Sequence, residues 1–333
     1  MLTIINNEND PYYNLALEEW LLKSGDAPDA LVWLWQNRPA VIVGRHQNAT
    51  EEVNLALTEA RGIDVVRRIS GGGAVYHDFG NVNFTFIAPF RGQAEDLFRQ
   101  FTAPVIAALR SFSVPAEFSG RNDIVVCGKK VSGNAQAYYR DRMFHHGTIL
   151  FDSDLDAIDA VLNVAPDKIQ AKGVKSVRSR VTNVRPFMRE DITVSAFMER
   201  LLAYLLGTDD IEARTFRLAP EAEAEVRRLA AEKYRTWEWN HGHSPFYNVT
   251  KSARFAGGKV AFYLHVQDGL IASCRIRGDF FSKLDIEGLE AALTGVAFTP
   301  EAVGGVLTAV PLDDYIFNVS RDELIGCLFP SAV

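Results

Sequence analysis

At 333 residues, 47% hydrophobic and 23% charged, the chain has the composition of an ordinary globular protein and enough length for two domains. A formal net charge of −7 argues against general nucleic-acid binding. The three scattered cysteines, Cys127, Cys274 and Cys327, argue against a disulfide framework or a cysteine-based zinc site.

In chain order, Asp10-Pro11 reads as an N-cap and first helical residue, followed by an apolar face from Leu17, Trp20 and Leu21 and a stop at Gly25. Leu31–Trp35 and residues 40–44 read as strands separated by Asn37-Arg38-Pro39. Thr50 is expected to cap one helix running to Arg61, with Gly62 as its stop. A strand over 63–68, a glycine loop at 70–73, a short strand over 74–77, a turn at 78–81 and a strand over 82–88 follow. Residues 94–112 suit a helix. The stretch 116–151 reads as a strand meander turning at Gly128 and near 140–142, with Cys127 as a buried strand residue. Helices are expected over 154–163, 192–206 and 220–234. The aromatic, Gly- and Pro-interrupted stretch 235–249 marks a boundary between domains 1–245 and 246–333. Beyond it, 254–277 alternates as a small sheet with Asp268-Gly269 as a hairpin turn, and helices are expected over 284–294, 300–308 and 320–328. Strands and helices mix without strict βαβ alternation, which makes the fold class α+β. No apolar run approaches the roughly 18–20 residues of a membrane span. The opening MLTIINNENDPYY lacks the basic and apolar regions of a signal peptide, so a cytoplasmic location is expected.

The densest chemical signal is Arg67-Arg68-Ile69-Ser70-Gly71-Gly72-Gly73-Ala74-Val75-Tyr76-His77-Asp78. Three successive glycines admit backbone conformations closed to other residues and let a ligand approach the main chain. Exposed N–H groups there can hold phosphate or carboxylate oxygens, with a guanidinium binding them bidentately. Neither GxxxxGK[ST] nor a completed GxGxxG occurs, so any nucleotide is bound some other way. A second cluster comprises Gly120-Arg121-Asn122-Asp123, Lys130-Val131-Ser132-Gly133-Asn134-Ala135-Gln136 and His145-His146-Gly147-Thr148. Successive histidines on a strand point to opposite faces, so at most one enters a site and they do not chelate one metal together. Residues 168–189 carry seven basic side chains and no acidic one, which suggests an anionic ligand or an acidic partner surface, the alternative being a solvated surface stretch.

Read together and in order, these motifs closely resemble the lipoate–protein ligase A family, with further likeness in the segment from Asp10 to Glu19, at Val43-Gly44-Arg45 and at Trp237-Glu238-Trp239-Asn240. The resemblance implies a large mixed-sheet domain of biotin/lipoate-ligase type followed by a small α+β domain. It implies ATP-dependent activation of lipoate to lipoyl-AMP, with Mg²⁺, and transfer to a lysine of a lipoyl domain or the glycine-cleavage H protein. On that likeness Lys130 is the catalytic residue. Arg68, Ser70, Gly73, Ala74, Val75, Tyr76, Asn81, Asp123, Lys172 and Arg180 are candidate adenylate contacts, Asp123 also a candidate for magnesium. Trp35, Gly72, His77 and His146 are candidates for the lipoate side. A monomer is expected, with no membrane or nucleic-acid partner. Three other readings stay open: a lipoyltransferase using preformed lipoyl-AMP, an octanoyl or lipoyl transferase acting through a cysteine without ATP, and a non-catalytic binding protein.

Overall fold

The computed structural model describes residues 1–90, 97–120, 122–162, 180–241 and 247–329. The chain forms two compact units, the first made of Met1–Ile42, Thr50–Arg67 and Val75–Asn240. The second comprises His241–Val333 together with two short segments from earlier in the chain, Val43–Ala49 and Arg68–Ala74.

The strands up to residue 216 are β1 (Leu2–Ile4), β2 (Leu31–Trp35), β3 (Ala40–Val43), β4 (Asp64–Arg67), β5 (Val75–His77) and β6 (Asn81–Pro89), then β7 (Ala116–Ser119), β8 (Asp123–Val126), β9 (Lys129–Tyr139), β10 (Arg142–Leu150) and β11 (Thr215–Phe216). The helices over the same stretch and on to residue 240 are α1 (Pro11–Lys23), α2 (Ala49–Glu52), α3 (Leu55–Ala60), α4 (Leu97–Ser111), α5 (Leu155–Val161), α6 (Val194–Leu206), α7 (Pro220–Leu229) and α8 (Trp237–Asn240). The large sheet runs β11-β1-β2-β6-β10-β9-β8-β7, parallel at β11-β1-β2 and antiparallel beyond. A separate three-stranded sheet has the order β4-β3-β5.

Strand periodicity divides the large sheet into two differently covered faces. Val32 and Leu34 of β2, with Phe84 and Phe86 of β6, pack against Val105, Ile106 and Leu109 of α4 and Phe197 and Leu201 of α6. The alternate residues Trp33, Trp35 and Thr85 belong to the face against which α1 lies. Helix α1 starts as expected: Asp10 accepts the Tyr12 N–H at 3.2 Å and Pro11 follows it. It is buried nearly all round, so its polar side chains Asn14, Glu18 and Glu19 lie inside the protein. Glu19 meets Lys233 Nζ and Lys23 Nζ, each at 2.7 Å, and the Tyr234 hydroxyl at 2.6 Å. These contacts fix α1 to a π-helical turn at Ala230–Tyr234.

Three expectations are corrected. The helix expected over 50–61 is two helices, because Val53 leaves the helical path to bridge Leu162 and Asn54 caps a fresh start by accepting the Leu57 N–H. Strands β1 and β11 were not anticipated; at three and two residues they are too short to show a period. Cys127 is not a buried strand residue: it is exposed in the β8–β9 turn with φ +49°, beside Gly128 at φ +75°.

The second unit contains β12 (Val249–Phe255), β13 (Gly258–Gln267) and β14 (Leu270–Gly278), all antiparallel, with α9 (Ile286–Leu293), α10 (Pro300–Ala309), α11 (Leu312–Tyr315) and α12 (Arg321–Leu328). Asp268 and Gly269 both have positive φ, +51° and +76°, as the expected hairpin turn requires. Phe262, Leu264 and Ile276 bury one face of this sheet against Leu289, Val303 and Leu324. No helix of the described residues is long and apolar enough to cross a membrane.

Glu19 generates a pH prediction. Burial pushes its carboxyl up, but the Lys233 ammonium and hydrogen bonds from Lys23, Lys233 and Tyr234 outweigh this and leave it below the usual value. A depressed carboxylate contributes stability that is present above its unfolded pKa and lost as pH falls through the folded value. Glu19→Gln is expected to lower unfolding stability by about 3 kcal/mol at neutral pH and to flatten the acid limb of the stability curve. Chemical denaturation at a series of pH values measures both.

Candidate active site

The first unit holds two groups of the expected residues. On the α1 face, Trp33 pairs with Thr85 in register, and Thr85 with His146. The Trp35 indole N–H donates to Thr85 Oγ1 at 3.0 Å, and the Thr85 hydroxyl donates to Glu18 Oε1 at 2.7 Å. His146 Nδ1 lies 2.8 and 2.9 Å from the two Glu18 oxygens. His77 from β5 stands edge-on to Trp35 with ring centroids 6.0 Å apart, and its Nδ1 is 3.0 Å from Asn37 Nδ2. Trp35, His77 and His146 are thus brought together on one face, as amphipathic aromatic and imidazole groups able to border an apolar acyl chain.

The histidine pair divides as strand geometry requires. His145 faces the opposite core, fully buried among Phe84, Phe98 and Phe101, with Gln136 Nε2 at 3.0 Å and Asn134 Oδ1 at 3.2 Å from its ring nitrogens. Burial, with a smaller contribution from neighbouring His146, holds its pKa well below the usual value. It is a structural residue.

The second group lies at β8 and β9, where Lys130 Nζ is 2.8 Å from Asp123 Oδ1 and both side chains are about one-third exposed. A Cβ at Gly133 would stand 2.6 Å from that ammonium, so the glycine leaves the space the lysine occupies. The Lys130 carbonyl accepts the Thr182 N–H at 2.9 Å, which ties the segment after Arg180 to β9. Arg180 itself is half-buried, whereas Lys172 lies outside the described residues. Tyr76 and Asn81 are buried, Val75 half-buried; Asn81 Nδ2 donates to Asn83 Oδ1 at 2.9 Å. Burial, then the nearby Asp78 and Asp154, push the Tyr76 phenol up to about 12.

Within the second unit, the glycine loop is folded around Arg68. Its guanidinium donates to Gly71 O at 2.7 Å, Gly73 O at 2.8 Å and Ser70 Oγ at 3.0 Å. Two of the three glycines are required by protein packing: a Cβ at Gly71 would meet the Phe280 carbonyl, and Gly72 has φ +90° with the Phe281 ring 3.1 Å from where its Cβ would lie. The Gly72 N–H donates to Phe280 O at 3.3 Å. At Gly73, by contrast, a Cβ would have nothing within 4 Å of it, and Ala74 is half-buried. Arg67, next to Arg68 in sequence, does separate work in the first unit: its guanidinium donates to Trp239 O and Asn240 O at 2.9 and 2.8 Å.

The sequence reading missed Glu18, Thr85, Asn14 and Asn37. A signal was present for two of them: Asn14 and Glu18 sit four apart in a largely apolar helix, hence on one face.

Residues 10–206 match the lipoyl protein ligase A/B catalytic domain, and residues 244–328 match the bacterial lipoate protein ligase C-terminus. The chain is 41% identical to lipoate-protein ligase LplJ of Bacillus subtilis over 99% of this chain and 100% of that one. It is 43% identical to lipoate–protein ligase 1 of Staphylococcus aureus over 96% of this chain and 97% of that one. Among solved structures it is similar to LipL1 of P. falciparum in complex with lipoate (TM-score 0.78, 25% identity, 98% of each chain). A bipartite lipoate protein ligase from Thermoplasma acidophilum, described with its E2 lipoyl domain, matches at TM-score 0.63 and 31% identity, over 74% of this chain and 98% of that one. A lipoate-protein ligase A bound with ATP matches at TM-score 0.62 and 28% identity, over 72% of this chain and 98% of that one. The chain belongs to the lipoate–protein ligase family and is a ligase enzyme.

His145 supplies a test of the core behind the sheet. A histidine held neutral in the fold gives stability that is present above its unfolded pKa and lost as pH falls toward the folded value. Its ring resonances are expected to stay those of a neutral imidazole as pH falls through the ordinary midpoint near 6.5, while global stability declines. Histidine-selective NMR across that midpoint checks it.

Proposed function

We propose that this ligase uses ATP to convert lipoate to lipoyl-AMP, with release of pyrophosphate, and passes the lipoyl group to a lysine of an acceptor protein. The observation that carries the reading is Lys130, an ammonium held 2.8 Å from Asp123 beside a glycine that leaves it room. Attack of a carboxylate oxygen on the α-phosphate builds negative charge on oxygens, and such a barrier falls chiefly through fixed cations and donors. Lys130 supplies that cation and is assigned the catalytic role. Arg68, Ser70, Gly73, Ala74, Val75, Tyr76, Asn81, Asp123, Lys172 and Arg180 are assigned to ATP and adenylate. Trp35, Gly72, His77 and His146 are assigned to lipoate. In the second step the acceptor ε-amine attacks the lipoyl carbonyl, the amide forms and AMP departs. The lipoate-bound and ATP-bound relatives support both substrates.

Among the described residues no group of three or more His, Cys, Asp or Glu side chains could hold a metal. A Mg²⁺ would be carried on the ATP phosphates, where it would neutralise charge, with Asp123 as the one carboxylate assigned near them. The acceptors proposed are lipoyl domains of 2-oxoacid dehydrogenase E2 subunits, in line with the Thermoplasma system, and the glycine-cleavage H protein. We assign residues 1–245 to catalysis and 246–333 to an accessory domain, in a cytoplasmic monomer.

Lipoate-dependent ATP–pyrophosphate exchange tests the adenylation step. Lys130→Ala is expected to reduce it on the order of 10²–10³-fold with the fold intact. Near-normal exchange in that variant would remove Lys130 from the chemistry. The exposure of Cys127 makes a second test necessary, since a thioester route needs an accessible thiol. Cys127→Ser is expected to keep ligase activity, and intact-mass analysis with octanoyl carrier protein should show no acyl adduct on the wild-type chain.

A further inference from the structure

Side-chain amides of the first unit form a chain that ends on the His77 imidazole, and its hydrogen-bonding sense is set from its far end. Asn6 Oδ1 accepts the Glu8 backbone N–H at 3.0 Å, so the other end of that amide, Nδ2, donates to Asn14 Oδ1 at 2.8 Å. Asn14 Nδ2 then faces the backbone carbonyls of Glu8 and Gln36, both at 3.0 Å, and Asn37 Oδ1 at 2.9 Å. Carbonyl oxygens only accept, so the Asn14 amide cannot be turned round. Asn37, having accepted through Oδ1, presents Nδ2 to His77 Nδ1 at 3.0 Å. Asn83 adds a second line in the same sense: its Oδ1 accepts from Asn81 at 2.9 Å, and its Nδ2 lies 3.5 Å from the same imidazole nitrogen. Asn14 and Asn37 are completely buried and His77 is 3% exposed, so no bulk water competes for these groups.

An imidazole nitrogen that accepts from amide N–H groups carries no hydrogen, and the neutral ring then carries it on Nε2. We propose that Asn14 and Asn37 are positioning residues that hold His77 in the Nε2–H tautomer, so that it acts toward the lipoyl group as a hydrogen-bond donor and not as a base. This rests on the assignment of His77 to the lipoate side. The acceptors such a donor recognises are the carboxylate oxygens of lipoate and the carbonyl oxygen of the adenylate. The relay also separates the two site histidines by role: the Nδ1 of His146 faces the Glu18 carboxylate, which only accepts, whereas the Nδ1 of His77 faces amide donors.

The test uses the full-length enzyme with ¹⁵N-labelled histidine, the His77 signals being identified by their loss in His77→Gln. In the wild type at neutral pH, His77 is expected to show a hydrogen on Nε2 and a bare Nδ1. Asn37→Asp keeps the acceptor for Asn14 but turns the group facing His77 from donor to acceptor, so the hydrogen should move to Nδ1. In the same variant kcat/KM for lipoate in pyrophosphate exchange should fall by about 10- to 100-fold, the range for loss of a group that orients a site residue. His77→Gln, whose amide nitrogen lies near the imidazole Nε2 position, should retain more activity than His77→Leu. A wild-type His77 with its hydrogen on Nδ1 overturns the relay, and this measurement needs no variant to fold. A moved hydrogen in Asn37→Asp with unchanged kinetics, while His77→Leu is crippled, also overturns it, leaving the amides a purely structural role. Full activity of His77→Leu instead sinks the lipoate-side assignment and the functional half of the proposal, leaving the tautomer assignment standing.

Discussion

Burying α1 on nearly every side takes Asn14, Glu18 and Glu19 out of water, and each would cost several kcal/mol there without partners. Their partners come from every part of the first unit. Glu18 gathers Thr85 and His146 across two strands of the sheet, Glu19 gathers Lys233 and Tyr234 from the turn after α7, and Asn14 orients Asn37. The requirement that buried polar groups be satisfied therefore arranges the residues proposed for the lipoate side. A single helix supplies both packing for the sheet and hydrogen-bond partners for the face it covers.

The glycine loop obeys a second constraint. Arg68 is already chelated by two loop carbonyls and the Ser70 hydroxyl, and the amide of Gly72 is held by Phe280. A phosphate that took the Nε and Nη2 hydrogens of Arg68 would exchange with these contacts, and its net gain there would be the difference between two charge-assisted sets of hydrogen bonds. Gly71 and Gly72 owe their lack of side chains to the approach of Phe280 and Phe281, and only Gly73 has open space around it.

Much of this was legible in the sequence wherever local chemistry sets local structure. Asp10-Pro11 and Asp268-Gly269 fix their elements through a cap and a turn. The opposite fates of His145 and His146 follow from a strand's period of two. What could not be read depends on contacts distant in sequence. Val53 breaks a helix in order to bridge Leu162; β1 and β11 exist only as each other's partners and β2's; Arg67 serves Trp239 and Asn240, although its neighbour Arg68 suggested a shared task. Cys127 was misread because a non-glycine residue with φ +49° is uncommon: the turn was placed at Gly128 alone, whereas it begins one residue earlier.

The pairing of β1 with β11 and the capture of Glu19 by Lys233 have a consequence for how the chain is made. Strand β1 is translated more than two hundred residues before the strand that covers its outer edge, and Glu19 about as long before its lysine. At roughly 5–20 residues per second, a nascent chain emerging from the ribosome waits about 10–40 s with the outer edge of β1 open and Glu19 lacking its partners Lys233 and Tyr234. The first unit can therefore close only after residue 234 has emerged, and until then the edge of β1 stays open to edge-to-edge association.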